Sequence, residues 1–297
     1  MSNVVIETKA LTKFYGPIRG IEDLSFKINQ GEIFGFLGPN GAGKSTTIRL
    51  LLHLLKPSSG NIYIFGKELK YHYQQIFKRI GNVPGELKLY EELSGSYFLE
   101  YMNHFNKQEA NLRDDLIEAF QLSQNDLAKK IKYYSRGMKQ KLAIIQSMQE
   151  EPDLLIMDEP SEGLDPLNQN VLYDYLLRFK KQGKTIFFSS HNLAEVEKIS
   201  DHVGLVKNGK FIAHESITDL KNKMVRRMEV EFNEDIDVND FNFSVIKHIE
   251  KKGNKLRFQI SGDLNPLIQT LARYQIKNLI FPEPSLEDMF MTFYSNH

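Results

Sequence analysis

One segment of this 297-residue chain carries chemistry in its residue types and spacing. Gly38-Pro39-Asn40-Gly41-Ala42-Gly43-Lys44-Ser45 fits G-x-x-x-x-G-K-[ST] without a mismatch. Glycines let the backbone curl until successive N–H groups point at one phosphate chain. The helix expected over Thr46–Leu55 offers its positive N-terminal end to the same charge. Lys44 can reach the β- and γ-phosphates, and the Ser45 hydroxyl can bind Mg²⁺. Thr46, at the helix start, can donate to a further phosphate oxygen. Every residue from Gly38 to Thr46, with Pro39, Asn40 and Ala42 included, is thus a candidate nucleotide contact.

A second feature takes its meaning from the first. Leu154–Met157 reads as a buried strand that runs into Asp158-Glu159. Two carboxylates after a strand usually lie in a solvated loop. Beside a phosphate cradle the weighting reverses, because strands of one sheet end on the edge where α/β ligands bind. Asp158 is then placed to hold Mg²⁺ through water, and Glu159 to polarise an attacking water.

These residues need a scaffold, and the pattern supplies one. Val4-Val5-Ile6, then Leu24, Phe26 and Ile28, alternate in the β manner. Ile33–Leu37 is apolar throughout, as expected of a strand buried on both faces. Residues 86–150 carry apolar positions at helical spacing and read as a mostly helical insert, ending in an amphipathic helix over Met138–Gln149. Strands at Ile80–Val83, Leu154–Met157 and Thr185–Ser189, with a helix over Pro166–Gln182, imply a mostly parallel sheet with crossover helices. Beyond Leu220 the character changes. Strands are expected at Met228–Phe232, Phe243–His248, Lys255–Ile260 and Ile276–Phe281, and helices at Pro266–Tyr274 and Leu286–Tyr294. The expected division is a nucleotide domain over 1–222 and a small α+β appendage over 223–297.

Composition removes several function classes. Lys+Arg and Asp+Glu both number 38, so no net basic field favours nucleic acid. There is no cysteine, which excludes disulfides, thiolate metal sites and cysteine nucleophiles. MSNVVIETKALTK has no charged start followed by an apolar stretch, so a signal peptide is not expected there. The densest apolar run, Leu50–Leu55, is broken by His53 and stops at Lys56-Pro57, far short of the ~20 residues a spanning helix needs.

Further segments resemble the ABC ATPase family in order and spacing over residues 1–220. The resemblance implies a P-loop NTPase cassette with a mostly parallel sheet core, an N-terminal antiparallel β subdomain and the helical subdomain at 86–150. It puts Tyr15 where the family stacks an aromatic ring on adenine. Tyr134-Ser135-Arg136-Gly137-Met138 resembles the family signature, Leu-Ser-Gly-Gly-Gln, and departs from it at Tyr134, Arg136 and Met138. There the resemblance implies that Ser135, Arg136, Gly137 and Met138 close on ATP bound to an opposite subunit. Ser161–Asp165 resembles the loop between the two ATP sites, with Glu162 in place of a small polar residue and Asp165 as a further contact. Ser189-Ser190-His191 matches the switch histidine, which holds the catalytic water and Glu159 in register. One position departs more sharply. Where the family has Gln or Glu touching Mg²⁺, this chain has Gly85 followed by Glu86. Either Glu86 shifts in as a metal contact or a water takes the place of the side chain.

The resemblance implies an ATP- and Mg²⁺-dependent ATPase that works as a homo- or heterodimer with a separately encoded permease, peripheral on the cytoplasmic face of a membrane. The C-terminal piece, with its Pro284–Phe290 ending, is similar to the accessory domain of bacterial multidrug- and antibiotic-type exporters. Export of a drug, antibiotic, peptide or lipid is the activity this implies. The alternatives are a non-transport ABC ATPase and a catalytically weak regulatory subunit. The first usually carries two cassettes or a long coiled-coil insert; Glu159 and His191 speak against the second, and the missing glutamine for it.

Overall fold

The computed structural model describes residues 3–106, 109–223, 226–260 and 264–282. The chain divides into two units, Met1–Ser216 and Ile217–His297.

The first unit begins with two long strands, β1 (Val4–Tyr15) and β2 (Ile18–Asn29). Leu24, Phe26 and Ile28 face the core while Ser25 and Lys27 face out, the period-2 pattern of a half-buried sheet. β3 (Ile33–Leu37) is buried at every position. The chain then forms α1 (Lys44–Leu51), β4 (Ser59–Ile64), β5 (Lys67–Glu68), α2 (Leu69–Phe77) and β6 (Ile80–Val83). The insert holds α3 (Gly95–Asn106), α4 (Arg113–Ala119), α5 (Gln124–Ala128) and α6 (Arg136–Met148). After it come β7 (Leu154–Asp158), α7 (Pro166–Lys181), β8 (Thr185–Ser190), α8 (Leu193–Ile199), β9 (His202–Lys207) and β10 (Lys210–Ser216).

Two sheets result. One is antiparallel, in the order β2-β1-β4-β5. The other runs β10-β9-β3-β8-β7-β6 and is parallel except for its edge strand β10. Phe26 of the first sheet stacks on Phe34 and Phe187 of the second, at ring-centre distances of 5.6 and 6.1 Å. Each such pair adds ~0.5–1.5 kcal/mol beyond area burial and ties the two sheets together. The parallel register brings Leu37, Ser190, Asp158 and Val83 to one edge. The cradle, His191, Glu159 and Gly85 follow those strand ends.

The helix after the cradle is shorter than the spacing suggests. It closes at Leu51, where His53 takes φ 53, Leu54 N–H donates to Arg49 O and His53 N–H donates to Leu50 O. This is a Schellman end with histidine in the position usually given to glycine. It stops the helix before Leu55, ahead of Pro57. Conversely, α6 begins at Arg136, before the expected Met138, because Ser135 is its cap.

The second unit comprises α9 (Ile217–Lys223), β11 (Arg226–Phe232), β12 (Ile246–Lys252), β13 (Lys255–Ile260), α10 (Asn265–Leu271) and β14 (Ile276–Ile280). Its antiparallel sheet, β12-β13-β11-β14, carries a core of Met228, Val230, Phe232, Phe258 and Leu267. The strand expected at Phe243–His248 starts instead at Ile246, since Ile246 N–H turns back to Phe243 O. α10 ends at Leu271, earlier than the expected Tyr274, where single turns take over. The expected helix Leu286–Tyr294 and the Pro284–Phe290 ending lie outside the described residues.

Candidate active site

β3 runs into the cradle and α1 leaves it. Gly43 has φ +105, and a Cβ there would meet Ile21 Cγ2 at 2.6 Å and Gly20 O at 2.8 Å, so no other residue fits. Lys44 is only 6 % exposed. A buried ammonium needs partners, and its Nζ donates to Gly38 O at 2.7 Å and to Pro39 O at 3.4 Å. It also lies 3.2 Å from Glu159 Oε1. Gly38 N–H donates to Ser190 O, tying the cradle to the end of β8.

Glu159 follows the buried strand β7 with φ +50, a conformation that costs a non-glycine residue ~1–3 kcal/mol. Its N–H donates to Ser189 Oγ at 3.1 Å and Ser189 O at 3.3 Å, which hold the turn. The turn aims the side chain across β8. There Glu159 Oε2 lies 2.8 Å from His191 Nδ1, so one carboxylate engages Lys44 with one oxygen and His191 with the other. Asp158, 8 % exposed, accepts a hydrogen bond from Ser189 Oγ.

An open cleft of about 490 Å³ lies over this arrangement. Its walls include the cradle residues Pro39–Gly41 and Gly43–Thr46, together with Tyr15, Gly85, Glu86, Asp158 and Glu159. Tyr15 is 42 % exposed, its hydroxyl lies 3.4 Å from Thr46 Oγ1, and the Lys13 ammonium sits 5.5 Å from its ring centre. The ring therefore offers a flat apolar wall at the mouth. A Cβ on Gly85 would lie 2.9 Å from Asp158 Oδ2, so this glycine lets the backbone rest against the carboxylate. Glu86 is exposed and pairs with Lys88 at 3.5 Å.

The signature residues stand elsewhere. Ser135, Arg136, Gly137 and Met138 do not line the cleft, and neither does Asp165. Ser135 Oγ accepts from Met138 N–H and caps α6. Asp165 caps α7 by accepting from Asn168 N–H at 3.0 Å, and that bond, helped by the Asn168 amide, holds its carboxyl below the usual range. Two of the places where this chain departs from the family pattern meet. The Arg136 guanidinium pairs with Glu162, and the Arg136 stem packs over Gly163. Glu162 reaches the cleft wall.

Sequence reasoning missed several cleft residues. Ile18, Arg19 and Gly20 at the start of β2, and Arg49 on α1, also line it. Nothing in their spacing marks them: the β1–β2 hairpin brings in the first three, and α1 carries Arg49. Glu195, which does not line the cleft, was missed as well, being an ordinary polar residue until the fold buries it.

The residues fit both a nucleotide and a divalent cation. The cradle supplies backbone N–H groups, a lysine and open space, while Ser45 and Asp158 supply the hard oxygen donors that Mg²⁺ takes beside substrate phosphates and water. Among the described residues no three His, Asp or Glu side chains converge, so protein alone does not enclose an ion.

Comparisons with known proteins point to one family. A model of the family described as "ABC transporter" matches residues 21–162. The bacitracin transport ATP-binding protein BcrA of Bacillus licheniformis is 32 % identical, with 97 % of each chain covered. The uncharacterized ABC transporter ATP-binding protein YhcH of Bacillus subtilis is 34 % identical over 93 % of this chain and 87 % of its own. A solved ATP-binding subunit of an ABC transporter is 31 % identical with a TM-score of 0.69, covering 74 % of this chain and 92 % of that one.

Proposed function

The chain belongs to the ATP-binding subunits of ABC transporters, and we propose that its ATPase cycle drives export through a separately encoded membrane permease. The observation that carries the hydrolytic part is the convergence of Lys44 and His191 on one carboxylate, Glu159, at the rim of the cradle. That arrangement supports hydrolysis over a catalytically weak regulatory role.

In this reading the backbone of Gly38–Ser45 and Lys44 cradle the β- and γ-phosphates of ATP. Adenine lies on Tyr15, beside the exposed Ile18. A Mg²⁺ held by Ser45 and Asp158, with Glu86 or water at the position left by Gly85, would offset phosphate charge. Glu159 orients a water and accepts its proton as the oxygen attacks the γ-phosphorus, and ADP leaves as the β–γ bridge opens. His191 fixes the Glu159 carboxylate.

The signature residues and Asp165 belong to a second half-site. Because they lie away from this chain's own cleft, they are available to the ATP on a second copy or a related subunit, most simply with two-fold symmetry. ATP then shifts an open–closed equilibrium by binding the closed pair more tightly, and hydrolysis releases it. Among the described residues no helix is long and apolar enough to cross a membrane. A peripheral place on the cytoplasmic face, through the permease, fits that finding. The full-length similarity to a bacitracin transport protein supports a drug, antibiotic, peptide or lipid cargo, with bacitracin the first to test.

Two measurements test the cleft. Phosphate release from ATP is expected to require Mg²⁺ and to stop on chelation; release that survives chelation contradicts the assignment of Ser45 and Asp158. Tyr15→Ala is expected to raise KM for ATP by about 5- to 150-fold, the range that ~1–3 kcal/mol of base stacking gives, with kcat little changed. An unchanged KM would place adenine elsewhere.

A further inference from the structure

Glu195 has no part in the steps above, yet it is a buried acid behind them. It sits on α8, 3 % exposed, and Ser190 Oγ donates to its Oε2 at 2.7 Å. The same hydroxyl accepts from Asn192 N–H at 2.9 Å. Asn192 in turn caps α8, its side chain accepting from Ala194 N–H and Glu195 N–H. Both neighbours of His191 are thereby pinned, with Glu195 as the anchor. Its other oxygen, Oε1, is buried without a hydrogen bond of normal geometry.

Ser190 follows Ser189, whose hydroxyl and carbonyl hold the Glu159 N–H. The turn that Glu195 pins therefore begins beside the residue that sets Glu159, and it carries the His191 ring that meets Glu159 at 2.8 Å. A buried carboxyl is a costly anchor, and removing it leaves the Ser190 hydroxyl unsatisfied. Burial pushes its pKa up, and the nearby Glu159 charge adds to the rise. Tyr173 responds in kind, raised to about 12 by burial and by Glu195.

We infer that Glu195 is a positioning residue for ATP hydrolysis, fixing the 190–192 turn so that His191 meets Glu159. This rests on the reading that Glu159 and His191 act on the attacking water.

The test uses the full chain and steady-state kinetics with Mg-ATP. Glu195→Ala is expected to lower kcat by about 10- to 100-fold, the effect of misplacing a catalytic group, with KM within about threefold. Glu195→Gln keeps an oxygen for Ser190 and is expected to recover most of that loss. The double variant Glu195→Ala/His191→Ala should be no slower than His191→Ala alone, since residues that act through one another are non-additive. Unchanged kcat in Glu195→Ala, or a further multiplicative loss in the double variant, overturns the inference. If Glu195→Ala fails to fold, Ser190→Ala removes the same hydrogen bond from the other side and decides in the same way. His191→Ala and Glu159→Gln run beside them. If those two hydrolyse normally, the hydrolytic reading itself has failed; if they collapse while Glu195→Ala does not, only the positioning role falls.

Discussion

Glu159→Gln is expected to lower the steady-state rate of ATP hydrolysis by about 10²- to 10⁴-fold, the usual contribution of a positioned general base. ATP affinity should survive, because the phosphates are held by the cradle. The substitution is nearly isosteric. Its amide keeps an oxygen for one neighbour but cannot take a proton from water. It also removes the negative charge 3.2 Å from the Lys44 ammonium. That ammonium is then freer to meet phosphate, so ATP should bind at least as tightly as before. Rate measurements beside equilibrium binding of a fluorescent ATP analogue separate the two effects. A variant that hydrolyses within a few-fold of the parent would remove Glu159 from the water-activating role.

Lys44→Ala should fail at an earlier stage. The lysine is buried and shared between cradle carbonyls and Glu159, so its loss removes the only ammonium aimed into the cradle among the described residues. Truncating one partner of a buried charge pair costs ~2–5 kcal/mol, which raises the Kd for ATP by about 30-fold or more. Glu159 is left without its counter-charge as well, so hydrolysis should fall even at saturating ATP. Isothermal titration and phosphate release distinguish this from Glu159→Gln, which keeps binding and loses rate. Wild-type affinity in Lys44→Ala would contradict the cradle assignment.

The chemistry was legible because it sits where short strands stop. Ile33–Leu37 and Leu154–Met157 are wholly apolar and end abruptly in Gly38 and Asp158, a pattern a single sequence displays. The parallel α/β core follows from the same runs. Less legible was whatever depends on backbone turns. The β9–β10 hairpin turns on Asn208-Gly209, both with positive φ, the pair that hairpin turns favour. The β4–β5 turn at Phe65-Gly66 uses the same geometry with a phenylalanine that sequence rules would not choose. The end of α1 at His53 is a third case. At Phe65 and His53, tertiary packing overrides the local preference for glycine.

The site shows the same division. Residue types mark Lys44, Asp158, Glu159 and His191 as candidates. The contacts that aim them did not appear in any motif. Ser189 turns Glu159, and the Arg136–Glu162 pair joins two departures from the family pattern that in sequence look unrelated. Separation along the chain hides such pairs, and only the fold brings the loops after β7 against the start of α6.

The account stands most directly on ATP-driven association. Light scattering of the Glu159→Gln chain, with and without Mg-ATP, measures it. The account predicts a shift from a 34.4 kDa species to twice that mass with Mg-ATP, reversed when nucleotide is removed. A chain that binds ATP to saturation and stays at its single-chain mass would contradict a site completed by the signature of a second copy.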